Sequence, residues 1–286
     1  MFSSAYWFRA SDRSYVIRLN DHREDFEKDA LAFTTLQPIG VPIPKIIKIG
    51  RFDHKTNFCI SEYCEGMTLT QLNIKKGVSA ERSMAFEIFR LLEQIKKIDV
   101  SHAKGWGLTN KMGQGNFSSW PDYLLSLYNQ KFDYDWHTLS QTTFLDAKVF
   151  AACLGELRRL TRYCPTQKWL VHGDFGFENV ITDGNRITGV LDWAEMRLGD
   201  FLYDIANLDF WSKDVPYGDL WLEYARKQRW EVRYFDERMR CYMLYIGLSG
   251  MVIAAVQNDE RTYRRVRERT RSVFGPGRRS STDWTH

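Results

Sequence analysis

Two aspartates and an asparagine stand at the ends of two short apolar runs in the segment LVHGDFGFENVITDGNRITGVLDWAE, residues 170–195. Asp174 and Asn179 lie five positions apart in a glycine-containing stretch, which is typical of a loop that carries chemistry. Asp192 ends the second run, and the sequence TDGNR between the runs predicts a tight β-hairpin. Such a hairpin returns Asp192 to Asn179, so we expect both side chains to surround one cation, with Asp174 beside it.

Oxygen ligands of this kind suit Mg²⁺, which keeps several waters and shares phosphate oxygens instead of binding in a cage made only of protein. An aspartate, an asparagine five residues later and an aspartate after a hairpin form the arrangement of kinase-type phosphoryl transfer. In that arrangement Asp174 accepts the proton of the attacking hydroxyl, and Asn179 and Asp192 hold Mg²⁺ on the phosphates of ATP. Each residue alone could be a turn former or a helix cap, but the combination favours catalysis.

The surrounding elements divide the chain into two lobes. A hairpin is predicted over residues 5–20, an amphipathic helix over 23–37 and a strand ending in a loop over 58–66. Helical periodicity then dominates, at residues 80–98, 144–163, 201–211, 217–229, 235–256 and 260–272. We therefore expect an α+β protein with a small lobe at 1–65 and a larger, mainly helical lobe at 66–286, joined near residues 63–68.

The composition of the chain limits the classes of protein to which it can belong. The 286 residues are 44% hydrophobic and 27% charged, values typical of a globular protein with a sizeable core. No signal-peptide pattern occurs at the N-terminus, and the apolar run MVIAAV near the C-terminus is too short to span a bilayer, which predicts a cytoplasmic protein without a membrane partner. Five cysteines without a CxxC spacing indicate neither a disulfide framework nor a zinc site.

The net charge of +4 is distributed unevenly. Residues 261–279 contain eight arginines and one glutamate, which contribute +7 and leave −3 for the rest of the chain. A basic segment of this kind can bind nucleic acid or an anionic membrane surface. A solvated helix face is the simpler interpretation, so no nucleic-acid partner is predicted, and the mildly acidic body suits a cationic acceptor.

The segment LVHGDFGFENVITDGNRITGVLDWAEMRLGDFLYDIANLDFW resembles the aminoglycoside phosphotransferase family, whose members have a protein-kinase-like fold. The stretches SYVIRLN, VPIPKIIKIGRF, FCIS, GMTLTQL and RCYMLYIGL extend the similarity over nearly the whole chain, and they are most similar to the subgroup that phosphorylates hygromycin B. The resemblance implies a bilobal fold with ATP between the lobes. The match to the family begins at about the loop that covers the phosphates, so we expect the β-rich first lobe to be shorter than in relatives.

The resemblance also implies roles for residues outside the metal hairpin. Arg18 in YVIRLN stands where most relatives have a lysine that grips the ATP phosphates. Asp29 is the helix acid expected to orient this cation, with Glu27 as the second choice. His172 would be a structural residue of the catalytic loop, and Asp204 would hold that loop in place.

The hinge and the acceptor pocket follow from the same resemblance. FCISEY would be the hinge, and adenine would meet the backbone of Ser61, Glu62 and Tyr63. A cationic aminocyclitol requires carboxylates and flat apolar surfaces, for which Glu195, Asp209 and Trp211 are the candidates, although each could equally be a surface or core residue.

These observations predict an O-phosphotransferase that depends on ATP and Mg²⁺. The expected acceptor is a hydroxyl of an aminoglycoside antibiotic, with hygromycin B favoured, so the protein would be a monomeric resistance enzyme. One alternative is a metabolic kinase for choline, a sugar or an amino alcohol. Another is a catalytically silent nucleotide-binding protein, against which the three filled chemical positions argue.

Overall fold

A computed structural model of the chain describes residues 4–128 and 135–274. In the first lobe one helix packs on an antiparallel sheet of strand order β1-β2-β4-β3. Its elements are β1 (Ser4–Ala10), β2 (Arg13–Asn20), α1 (Arg23–Leu36), β3 (Ile46–Arg51) and β4 (Asn57–Glu62). Ser11 and Asp12 join β1 to β2 with positive φ angles of 48° and 63°, as a tight hairpin turn requires. The predicted hairpin and first helix are thus confirmed.

The second lobe is mainly helical and contains two small sheets, of order β10-β9-β5 and β7-β6-β11-β8. Its elements are β5 (Met67–Thr68), α2 (Leu69–Lys76), α3 (Val78–Lys96), β6 (Trp106–Thr109), β7 (Gly115–Phe117), α4 (Trp120–Leu125), α5 (Trp136–Thr142), α6 (Ala147–Leu160), β8 (Trp169–Val171), β9 (Val180–Thr182), β10 (Ile187–Val190), β11 (Arg197–Gly199), α7 (Leu202–Trp211), α8 (Tyr217–Lys227), α9 (Phe235–Val256) and α10 (Glu260–Phe274).

Helix α9 is the centre of this lobe and contacts α6, α7 and α10. At 22 residues it is long and apolar enough to cross a membrane, so the length argument made from MVIAAV alone was wrong. However, 78% of its apolar 18-residue window is buried inside the protein, as expected of a core helix. From Cys241 to Ser249 every residue of the helix is buried, because neighbouring helices pack on it from several sides.

The segment between the lobes differs from the expected linker. Met67 and Thr68 form β5, which pairs with Thr182 and Ile181 of β9, so part of the expected linker belongs to a sheet of the second lobe. Gly66 precedes this strand with φ of +133°, and a Cβ there would lie 2.5 Å from the Thr182 carbonyl oxygen. Glycine at this position therefore allows the chain to approach β9 closely.

Candidate active site

The hairpin of β9 and β10 brings the expected metal ligands to one place. Val190 pairs with Val180, and the Leu191 N–H donates to the Asn179 carbonyl oxygen at 2.8 Å. The chain therefore returns to Asn179 immediately before Asp192, as the turn sequence predicted. Asp192 has a positive φ of 60°, which is uncommon for a residue other than glycine and marks a locally strained backbone.

Asn179 also holds the loop of Asp174. Its side-chain Nδ2 donates to the Asp174 carbonyl oxygen at 3.0 Å and to Asp174 Oδ2 at 3.1 Å. These bonds fix the amide orientation, so the Asn179 Oδ1 is left as an acceptor. Within residues 4–128 and 135–274 no group donates to this oxygen, which suits it to bind a cation.

The oxygen donors at the end of the hairpin meet the requirements of Mg²⁺. No group of three or more His, Cys, Asp or Glu side chains suited to a metal occurs in the described part of the chain. A protein that encloses its metal would need such a group, but Mg²⁺ on a nucleotide takes one or two protein oxygens together with phosphates and water. Asn179 Oδ1 and the Asp192 carboxylate therefore fit an ion that arrives with the nucleotide.

Asp174 lies in a cleft among other carboxylates, although its side chain reaches solvent. Desolvation in the cleft, followed by the negative charges of Glu195 and Asp192, raises the pKa of Asp174 to about 6. A general base is most effective when its pKa lies near the working pH. The electrostatic surroundings thus suit Asp174 to accept a proton near neutral pH.

Asp204 supports the loop of Asp174 from α7. Its Oδ2 accepts the His172 N–H at 3.0 Å and its Oδ1 accepts the Gly173 N–H at 2.9 Å. The carboxyl group is fully enclosed, and burial raises the pKa of Asp204 to about 6. These two bonds satisfy backbone donors that have no access to water, directly before Asp174.

Asp204→Ala is therefore expected to lower the free energy of unfolding by roughly 2–5 kcal/mol, because two buried N–H groups lose their acceptor. Equilibrium unfolding in urea, followed by circular dichroism, measures the change. Asp214→Ala, at an exposed carboxylate after α7, is the matched control and should leave stability unchanged. A loss below about 1 kcal/mol for Asp204→Ala would contradict the bracing role.

His172 links the loop of Asp174 to the hairpin of β9 and β10. It is fully buried, and burial lowers its pKa to about 4, so the ring is neutral at pH 7. Its Nδ1 accepts the Asp174 N–H at 3.3 Å, which leaves Nε2 as the protonated nitrogen that donates to the Leu191 carbonyl oxygen at 2.9 Å. The imidazole thus joins the backbone of Asp174 to the residue before Asp192.

In the first lobe the predicted pair of Arg18 and Asp29 is present, with Arg18 Nη2 bound to Asp29 Oδ2. Glu27, the second choice, instead pairs with Arg23 and Lys111. Asp29 makes one further bond, since its Oδ1 accepts the Trp193 N–H at 2.8 Å. The buried Asp29 carboxylate therefore connects Arg18 of β2 to Trp193, the residue after Asp192.

Two buried cations in this region were not singled out from the sequence. Arg197 donates to the Gly173 carbonyl oxygen at 2.9 Å, pairs with Glu195 and lies 4.7 Å from the ring centre of Tyr203. Lys28 donates to the Ala194 carbonyl oxygen. The sequence did contain a signal for Arg197, which stands between the apolar residues of MRLGDFLY. A charged residue that is buried with such neighbours needs a partner.

A cavity of about 240 Å³ lies between the lobes. Arg18, Asp29 and Asp192 stand on its lining, and the remaining surface is largely apolar. The apolar contributors are Val16, Ile43, Pro44, Ile46, Met67, Ile181, Val190 and Leu191. A cavity with apolar walls and a few charged groups is the usual form of a nucleotide site.

The hinge residues Ser61, Glu62 and Tyr63 all line this cavity, but two of their backbone donors are already in use. The Glu62 N–H donates to the Lys45 carbonyl oxygen at 3.0 Å, and the Tyr63 N–H to that of Ser14 at 3.1 Å. In the described residues the Cys64 N–H has no acceptor. Of the backbone groups expected to meet adenine, the hinge carbonyl groups are left, together with the Cys64 N–H, and the contact with adenine stays a prediction.

A second cavity of about 830 Å³ opens on the other side of the catalytic loop. Asp174 and Asn179 lie on its lining together with Glu178 and Trp211. Trp211 is 37% exposed, and its other side packs edge-to-face on Phe210 with ring centres 5.0 Å apart. The first cavity contains Asp192 and the second contains Asp174, so the hairpin and the loop separate two binding spaces.

Two acceptor candidates have carboxylates that are engaged by neighbouring groups. The Asp209 carboxylate accepts the Gly218 N–H at 3.1 Å and so caps the first turn of α8, because its position on α7 directs it towards that helix. The Glu195 carboxylate pairs with buried Arg197. Neither residue is on the lining of the two cavities, although the Glu195 charge acts on Asp174, and their place at the acceptor stays a prediction.

Comparison with known proteins gives consistent matches. Residues 2–237 match the model of the phosphotransferase enzyme family. A curated hygromycin-B 4-O-kinase of Escherichia coli is 32% identical over 266 residues, which cover 90% of this chain and 73% of that protein.

Solved structures agree with this result. A thermostable mutant of aminoglycoside phosphotransferase APH(4)-Ia, in a ternary complex with ADP and hygromycin B, superposes with a TM-score of 0.83 at 29% identity and covers 96% of this chain and 92% of its own. The GDP and kanamycin complex of APH(2")-IIIa, at 15% identity, covers 94% of this chain and 92% of its own with a TM-score of 0.64 and shows the fold alone.

Proposed function

The chain belongs to the phosphotransferase enzyme family, and on this basis we propose that it transfers the γ-phosphoryl group of ATP to a hydroxyl of hygromycin B or a related aminoglycoside. The observation that carries the proposal is the position of Asp174 and Asp192 between two cavities. The smaller cavity, with Arg18, suits a nucleotide, and the larger suits a polyhydroxylated acceptor. In this proposal residues 1–65 bind the nucleotide and residues 66–286 bind the acceptor and catalyse.

Catalysis in this arrangement rests on position and charge. Arg18, oriented by Asp29, would pair with the phosphates as they extend from the smaller cavity. Asn179 and Asp192 would hold Mg²⁺, which when bound neutralises charge on the phosphates. Asp174 would accept a hydrogen bond from the acceptor hydroxyl and take its proton as the oxygen attacks phosphorus. The bonds from Asn179, His172 and Asp204 keep this loop in place beforehand.

The larger cavity supports an aminoglycoside acceptor. Carboxylates of Asp174, Glu178 and Asp214 lie on its lining and would pair with ammonium groups of the acceptor, while Lys213, Arg265 and Arg269 on the same lining suit its hydroxyl groups. Trp211 offers a flat apolar surface on which the non-polar face of a sugar ring can pack. The same proposal has the enzyme acting as a monomer in the cytoplasm, where ATP is available.

Trp211→Ala is expected to raise KM for the acceptor by about tenfold with little change in kcat, because packing against the ring binds the ground state and the transition state equally. Steady-state kinetics with varied hygromycin B measures the effect. The matched control is Tyr234→Ala, an exposed aromatic residue remote from both cavities, which should leave KM unchanged. An unchanged KM in Trp211→Ala would remove this residue from the acceptor site.

The proposal is tested by ADP release from Mg-ATP with and without hygromycin B. Further reactions contain a panel of aminoglycosides, choline, simple sugars and amino alcohols. Stimulation by hygromycin B, with phosphorylated antibiotic detected by mass spectrometry, would establish the activity. Stimulation only by choline, a sugar or an amino alcohol would favour the metabolic-kinase alternative. Absence of both turnover and ADP binding would favour a catalytically silent protein.

A further inference from the structure

A buried carboxylate lies on the wall of the larger cavity, apart from the loop of Asp174. Glu81, in the first turn of α3, is only 3% exposed, yet it stands on the lining of this cavity of about 830 Å³. Thr70 and Asn73 of α2 belong to the same wall. The Thr70 N–H donates to the Phe177 carbonyl oxygen at 3.3 Å, which attaches this wall to the loop that contains Asp174.

Both hydrogen bonds of the Glu81 carboxylate are bonds that it accepts. Its Oε1 accepts the Tyr217 hydroxyl at 3.1 Å, and its Oε2 accepts the side-chain Nδ2 of Asn73. Burial, followed by the negative charge of Glu81, raises the pKa of Tyr217, so this hydroxyl keeps its proton and remains a donor. A protonated carboxyl group would need an acceptor for its own hydrogen, and the described residues offer Glu81 donors instead. The hydrogen bonds therefore fit a carboxylate anion.

In the part of the chain that the structure describes, no cation is paired with Glu81. Its two partners, Asn73 and Tyr217, are neutral, and Arg269 on the same lining donates to two carbonyl oxygens at the end of α7. A buried charge is costly unless an opposite charge compensates it, and the positive end of the α3 dipole offsets only part of this cost. Each carboxylate oxygen can accept a second hydrogen bond, so a cationic donor in the cavity can supply the rest.

We propose that Glu81 binds an ammonium group of the acceptor, one that carries N–H hydrogens and is distinct from the hydroxyl that reacts. This inference rests on the proposed function, because it requires an aminoglycoside in the larger cavity. A metal ion fits less well, since the described residues contain no group of three or more ligating side chains here. Choline has no N–H to donate and a neutral sugar has no charge, so Glu81 would favour an amino sugar or aminocyclitol over both.

The test measures Kd for hygromycin B and for Mg-ADP by isothermal titration, with the full chain and three variants. Glu81→Gln keeps the shape and an oxygen for Tyr217 but removes the charge. It should weaken hygromycin B binding by about 10- to 100-fold, as expected for the loss of a hydrogen bond to a charged group. The affinity for Mg-ADP should be unchanged. In steady-state kinetics KM for hygromycin B should rise while kcat is nearly retained, because the ammonium group is bound equally before and during transfer.

Two variants control for effects on structure. Tyr217→Phe removes a hydrogen bond of Glu81 and leaves its charge in place, so stability should fall while hygromycin B binding is nearly unchanged. Glu87→Gln makes the same chemical change on the same helix, at a carboxylate that pairs with Arg90 and is absent from the cavity lining. Its affinity for hygromycin B should equal that of the wild type.

Three results would overturn the inference alone while the wild type still binds hygromycin B. The first is an unchanged hygromycin B affinity in Glu81→Gln. The second is an equal loss in Tyr217→Phe, since the effect would then come from the connection between α3 and α8 and not from the charge. The third is an equal loss of Mg-ADP affinity in Glu81→Gln, since the change would then have disturbed the site as a whole. A folded wild type that binds Mg-ADP but no aminoglycoside would overturn the proposed acceptor, and this inference with it.

Discussion

Asp174→Asn is expected to lower kcat by about 10²- to 10⁴-fold, because the amide cannot accept the proton of the attacking hydroxyl. Shape and most local hydrogen bonds are retained, since the new side chain still offers one oxygen to Asn179. Affinity for Mg-ADP should change little, because the side chain faces the acceptor cavity and is absent from the lining of the nucleotide cavity. Phosphorylation of hygromycin B, followed by ADP release, measures the rate, and isothermal titration measures the affinity.

The control for this variant is Glu178→Gln, the neighbouring carboxylate on the same cavity. This change removes one negative charge from the acceptor site and leaves the loop contacts of Asp174 in place. It therefore distinguishes the effect of attracting a cationic acceptor from the effect of proton transfer. We expect Glu178→Gln to raise KM and to leave kcat nearly intact. Near-normal turnover in Asp174→Asn would show that another group takes the proton and that the assigned role is wrong.

Asp192→Ala is expected to reduce both transfer and nucleotide binding. Asp192 is the carboxylate at the end of the metal hairpin, on the lining of the nucleotide cavity, and it supplies one of the two protein oxygens suited to Mg²⁺. Loss of a metal ligand removes several kcal/mol of charge stabilisation from the transition state, so kcat should fall by at least about 10²-fold. Titration of ADP with and without Mg²⁺ separates the metal contribution, since the wild type should bind Mg-ADP more tightly than ADP and the variant should show no such gain.

Asp183→Ala is the matched control for this experiment. Its carboxylate lies in the turn of the same hairpin, where it accepts the N–H groups of Asn185 and Arg186 at 2.8 and 3.0 Å, far from the cavity end. A small loss of stability is expected there, without a change in the Mg²⁺ dependence of ADP binding. If Asp192→Ala retained the full gain in affinity from Mg²⁺, the ion would have to be held by other groups.

Local patterns in the sequence predicted most elements, because helical periodicity and turn chemistry are properties of neighbouring residues. Helix α9 begins and ends where expected, at Phe235 and Val256, and the turn at Asp183 and Gly184 closes the metal hairpin. The choice of Asp29 over Glu27 as partner of Arg18 was also correct. It followed from resemblance to a family in which a helix acid performs this task, and not from spacing alone.

The features that were missed depend on contacts between distant parts of the chain. Strand β5 is only two residues long and forms because it pairs with β9, which lies far along the chain. No local pattern encodes such a pairing. Asp209 was named for its place after the metal hairpin, and the bond that its carboxylate accepts from the Gly218 N–H depends on the rotation of α7 against α8. The buried guanidinium of Arg197 satisfies a carbonyl oxygen in the loop of Asp174, and this pairing required the fold.

The attachment of α1 to the second lobe has a consequence for control of the enzyme. Asp29 holds the Trp193 N–H, and Lys28 of the same helix holds the Ala194 carbonyl oxygen. Protein kinases are switched by moving the corresponding helix away from the catalytic centre, which phosphorylation or a partner protein then reverses. Here such a movement would break two hydrogen bonds made by buried charged groups, at a cost of about 1.5–3 kcal/mol each. The helix is therefore kept in its working position by the fold itself, and turnover should follow the supply of antibiotic and ATP without an activation step.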